Sequence, residues 1–122
     1  MEHRWHDRHP IRMELELYRR GEAVATCHSR NVSREGMFFE LDARGMGFEV
    51  GRCVQAVFTT GVPDSPNRHL FTGLIVHCSG EGMGVMLTGI DQAARRALDA
   101  LIDGWEKAVA SAGYRSPVAA LG

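Results

Sequence analysis

Nowhere in these 122 residues does an apolar run approach the roughly 20 residues that a membrane-crossing helix needs. The N-terminus is polar and has no apolar signal-peptide core, so a cytoplasmic protein with no membrane partner is expected. Lysine is almost missing: Lys107 stands alone beside thirteen arginines. Net charge is close to absent as well, at −1, which removes any global attraction to a polyanion and disfavours a nucleic-acid binder. Aromatic residues make up only 7%, few for a protein that would stack single-stranded bases. Three cysteines, Cys27, Cys53 and Cys78, form no CxxC spacing, which argues against a disulfide framework or zinc ribbon; they read as small core or half-buried residues. Catalytic signatures are lacking too: there is no nucleophile elbow, no HExxH and no P-loop, and Asp7, Glu35 and Glu40 have no partners at diagnostic spacing. His3, His6 and His9 repeat every third residue, but no helix is expected there to align them on a metal. Neither an enzyme nor a cofactor is expected.

What is present is a chain long enough for one domain with a single core, and a strong β pattern. Residues 1–10 lack periodicity and read as a flexible arm ending at Pro10. From Ile11 the apolar residues Ile11, Met13, Leu15 and Leu17 alternate with polar ones, the mark of a strand with one buried face. Arg19 to Glu22 reads as a turn and Ala23 to Arg30 as the hairpin partner. Further strands are expected at Met37–Leu41, Cys53–Thr59, Leu70–Cys78 and Met83–Leu87. The proline-bearing stretch Gly61–Arg68, between Cys53–Thr59 and Leu70–Cys78, reads as an exposed loop. Then the period changes: after Asp91, a good N-cap, Ala94, Leu98, Leu101, Ile102, Trp105 and Val109 form the stripe of an amphipathic helix. Gly104 interrupts it, so the helix is expected to be close-packed or bent there. Strands at short spacing without intervening helices point to an antiparallel barrel or sandwich. Residues 113–122 read as a disordered tail, leaving 11–112 as the folded domain.

Two sequence features stand out beyond this framework. Asn31-Val32-Ser33-Arg34-Glu35-Gly36 is a tight-turn signature, in which short polar side chains bond their own backbone and expose donors to an anion. RxxxR pairs occur three times, as Arg4/Arg8, Arg8/Arg12 and Arg30/Arg34, so alone they select nothing. The first pair precedes Pro10 and leaves Arg12 on the outward face of the alternating strand. Guanidinium groups beside such a turn outline a site for a nucleotide phosphate.

RxxxR, then Pro10, an alternating strand, [DN]xSxxG, more strands and a final helix: this sequence resembles the PilZ domain family over nearly its whole length. The resemblance implies a six-stranded antiparallel β-barrel with a C-terminal amphipathic helix. It also implies a non-enzymatic receptor or adaptor for cyclic di-GMP, a bacterial second messenger linked to motility and biofilm regulation. Arg4 and Arg8 would clamp phosphate and guanine, and Asn31 would read a guanine edge. Ser33 would donate its hydroxyl to ligand or turn, and Gly36 would permit a backbone that a Cβ obstructs. His77 lies where the family can offer an aromatic for stacking. Neither Arg8 nor Ser33 is expected in the core. Ligand would order the arm and so change a surface read by an unidentified downstream protein, with the receptor a monomer or homodimer. The rival within the family is a nucleotide-independent interaction module of pilus or motility assembly.

Overall fold

The computed structural model describes residues 8–112. Arg4, most of the expected arm (residues 1–7) and the expected tail (residues 113–122) lie outside the described residues. Six strands, β1 (Glu14–Arg19), β2 (Glu22–Val32), β3 (Gly36–Glu40), β4 (Cys53–Val62), β5 (Ser65–Cys78) and β6 (Gly82–Ile90), precede one helix, α1 (Gln92–Ser111). The strands pair antiparallel and close on themselves in the order β1-β2-β3-β6-β5-β4, the barrel expected from the sequence.

The alternation that marked the first strand places Met13, Leu15 and Leu17 inside. The ladder itself starts only at Glu14, because the buried side chain of Ser29 replaces backbone just before it. The Ser29 hydroxyl accepts from Met13 N (2.8 Å) and donates to the Ile11 carbonyl (2.7 Å). Inside the barrel Phe71 sits between Phe39 and Phe58, at centroid distances of 6.4 and 6.1 Å. Such tilted and edge-on contacts suit aromatic quadrupoles.

The stretch Gly61–Arg68 is not the loop expected from its prolines. β4 and β5 continue as a ribbon, with Gly61 opposite Pro66 and Val62 opposite Ser65, so that only Pro63 and Asp64 make the turn. This part of β5 has no second neighbour, since β6 joins only at Phe71. Proline is tolerated there because no further strand asks for its missing N–H.

Asp91 caps α1 as expected, its carboxylate accepting from Ala94 N at 2.7 Å. Ala94, Leu98 and Ile102 are buried, and the latter two join the barrel core. Close packing at Gly104 is not found: the residue is exposed and a Cβ there would meet nothing within 4 Å. α1 lies against the β2–β3 turn, which is where the candidate site begins. No helix of the described residues is long and apolar enough to cross a membrane.

Candidate functional site on the outer wall of β2, β3, β6 and β5

Ser33 closes the β2–β3 turn from within. Its N–H donates to the Gly36 carbonyl (2.8 Å), and its hydroxyl donates to the same oxygen (3.1 Å) while accepting from Glu35 N (3.3 Å) and Gly36 N (3.1 Å). The expectation that Ser33 lies outside the core does not hold, since it is only 4% exposed. Of its two expected roles, ligand or turn, the hydroxyl serves the turn, which needs every bond it can make. Gly36 is required by a neighbour rather than by a left-handed backbone: a Cβ there would lie 2.5 Å from the Val85 carbonyl on β6.

Asn31 follows a bulge in β2 that leaves Arg30 as the extra residue opposite β3. Asn31 pairs with Phe38, Phe38 with Gly84, and Gly84 with His77, so these four positions form one row across the outer wall. At the usual strand spacing the row is about 14 Å long. Phe38 is half-buried on this wall, with the Arg30 guanidinium 4.5 Å from its ring centroid. On the other side the exposed His77 ring stands 6.1 Å from Phe38, centroid to centroid, tilted by 37°. Gly84 between them adds no side chain, so the two rings meet.

Arg8 completes the near end. Its Nη1 donates to Asn31 Oδ1 at 2.9 Å, which leaves the amide NH2 of Asn31 as a donor. The bond is held by the next residue, because His9 and Val32 exchange both backbone hydrogen bonds at 2.8 Å. Of the six residues expected at the site, Arg8, Asn31, Ser33 and Gly36 are therefore brought together, Arg4 is outside the described residues, and His77 lies at the far end of the row.

Two further groups were not read as site residues. Phe38 had a sign, being an apolar residue in the outward phase of a strand whose Met37 and Phe39 point in. Arg30 had none, since only the bulge and Phe38 place it there. Glu40 bonds both Arg12 (3.0 Å) and Arg30 (3.3 Å), and the Arg12 bond foremost holds its carboxyl below the usual range.

The turn and the arm are also tied to α1. Arg34 lies 2.5 Å from Asp103 and 3.6 Å from Asp99, and its carbonyl accepts from Arg95 at 2.7 Å. His9 Nε2 is 3.1 Å from Glu106. Among the described residues no group of His, Cys, Asp and Glu is arranged to hold a metal. The chemistry on offer is guanidinium for phosphate, amide donors for a base edge, and aromatic faces for stacking.

A closed six-stranded barrel packed against a C-terminal helix, with such a wall beside a polar turn, defines a small antiparallel β-barrel domain. The chain belongs to the PilZ domain family, whose match covers residues 2–104. Among solved structures it is similar to the Bacillus subtilis inhibitor of motility, MotI/DgrA, at 14% identity and a TM-score of 0.66, over 81% of this chain and 49% of that one. It thus spans about half the length of that protein. It is also similar to the PilZ domain of CeSA from a cellulose synthesizing bacterium, at 13% identity and a TM-score of 0.59, over 81% of this chain and 97% of that one. At these identities the likeness is one of fold. No curated protein matches the sequence. PilZ is a cyclic di-GMP-binding module, typically a non-enzymatic receptor or adaptor.

Proposed function

We propose that this chain is a cytoplasmic cyclic di-GMP receptor, and that ligand binding changes the surface it presents to a downstream protein. One observation carries this reading: Arg8 and Asn31, 23 residues apart, meet at 2.9 Å beside the turn that Ser33 builds. They bring the second arginine of RxxxR together with the first residue of NxSxxG. Arg8, joined by Arg4, binds phosphate oxygens and guanine edges, while Asn31 donates to a second guanine edge. Phe38, Arg30 and His77 supply the stacking faces along the row.

The ligand gathers residues 1–7 onto this wall, with the cost of ordering them recovered only when it is bound. The signal leaves through α1, since Arg34 and His9 connect the site to Asp99, Asp103 and Glu106. A titration of labelled protein with cyclic di-GMP, followed by amide NMR, tests the reading. Saturable shifts at Arg8, Asn31, Phe38 and His77, with residues 3–7 ordered by the ligand, are expected. Unmoved resonances in this row would leave the interaction-module reading in its place.

A further inference from the structure

A cleft of about 660 Å³ opens where the β1–β2 turn meets the connection between β3 and β4. That volume lies in the range of small-molecule sites. Because consecutive antiparallel strands run up and down the barrel, this turn leaves it at the end opposite the β2–β3 turn, away from Arg8 and Asn31. Three arginines, Arg19, Arg20 and Arg52, line the cleft and no carboxylate does. Gln55 and Thr72 add polar groups, and Phe48, 7% exposed, an apolar edge.

Its cations are placed in ways that the fold alone does not require. Arg20 has φ +55° and Gly21 +81°, a two-residue turn of the type that favours Asn, Asp or Gly at both positions. Arginine in the first of them holds a strained backbone, and an outlier of this kind points toward function. Arg20 has no ion pair among the described residues. Arg52 faces only Glu49, at 3.7 Å, in a pair of which both side chains are about 70% exposed, at 68% and 70%. Such a pair is easily exchanged for a better anion. Arg19 is fixed by contrast: it donates to the Met46 carbonyl, and its guanidinium lies 5.6 Å from the Phe48 centroid. Gly47, at φ +82°, leaves the room its guanidinium occupies, and a Cβ there would collide with it.

We propose that this cleft is a second ligand site, which takes a small phosphate monoester with an aromatic or apolar body. Arg20 and Arg52 close on the phosphate, Gln55 and Thr72 hydrogen-bond its oxygens, and the body rests against the edge of Phe48 beside the Arg19 guanidinium. Guanidinium groups suit both tasks, as bidentate partners of phosphate and as stacking planes. The site is independent of cyclic di-GMP binding, so either can fail without the other.

The probe is phenyl phosphate, titrated into the labelled full chain and read by amide NMR, with inorganic phosphate and excess cyclic di-GMP as separate arms. Saturable shifts are expected at Tyr18–Arg20 and Gly47–Cys53, with inorganic phosphate at least about tenfold weaker and cyclic di-GMP not displacing the probe. Arg20→Asn is the discriminating variant. It relaxes the turn, so it melts no lower than the wild type, yet it loses at least about tenfold in probe affinity. Arg52→Gln weakens the probe in the same direction. No saturable shift, equal affinity for inorganic phosphate, displacement by cyclic di-GMP, or undiminished binding in both variants would overturn the proposal.

Discussion

Arg34, in the middle of the β2–β3 turn, reaches Asp103 on α1 with its Nη2 2.5 Å from Oδ1. Asp99 lies on the same guanidinium at 3.6 Å, and Arg95 returns a hydrogen bond to the Arg34 carbonyl. The turn proposed to meet the ligand is thereby joined to the helix proposed to carry the signal onward. The side chains of the closest pair are 43% and 55% exposed, so Asp103→Asn should cost little stability, about 0.2–1 kcal/mol. Its effect belongs to communication: ligand-induced NMR shifts in α1 should shrink in this variant while those at Asn31 persist. Shifts of unchanged size in α1 would show that the signal does not pass through Arg34.

Ser33→Ala should destabilise the fold by about 1–3 kcal/mol, because the buried N–H of Gly36 and the part-buried N–H of Glu35 lose their acceptor. Urea unfolding measures this directly. A wild-type midpoint in the variant would mean that the turn holds without its hydroxyl, and would return Ser33 to the role of a ligand donor.

Two glycines should respond to alanine with opposite signs. Gly36→Ala brings a Cβ to 2.5 Å from the Val85 carbonyl, a backbone atom in a paired strand, and is expected to cost about 1–3 kcal/mol. At Gly104 a Cβ meets nothing, so alanine should stabilise α1 by up to about 1 kcal/mol through helix propensity. Thermal melts of the two variants moving in the same direction would contradict this reading of the barrel and helix.

Acid sensitivity follows from the carboxylates that arginines hold down. Hydrogen bonding to Arg44 keeps Asp42 at about 2, and that to Arg12 keeps Glu40 below its ordinary value. A depressed folded pKa stabilises the protein above the unfolded value, and this is lost as pH falls through the folded one. These contributions should therefore persist at pH 5 and fade between about 4 and 2. Carboxyl NMR titration should find Glu40 rising toward its ordinary value in Arg12→Ala; no movement would show that Arg12 does not hold it.

The barrel could be read from the chain because its inner face is written at period two, as Leu15 and Leu17 in β1 or Phe39 in β3 show. The turn was legible for a related reason: Asn31, Ser33 and Gly36 carry local chemistry at fixed offsets. What escaped is decided across strands. The ribbon around Pro66 exists because β5 lacks an outer neighbour there, and Gly36 answers to Val85 on β6. The burial of Ser33, the bulge that sets Arg30 against Phe38, and the reach of Arg34 to α1 likewise have no trace in local spacing.

Calorimetry of cyclic di-GMP with the wild type and with Arg8→Ala tests the central claim most directly. A receptor of this design binds in the wild type with saturable heat, and Arg8→Ala loses at least about tenfold in affinity, or 1.4 kcal/mol, with its melting temperature nearly unchanged. No heat with the wild type, or equal affinity in the variant, would contradict the clamp of Arg8 on the ligand beside Asn31.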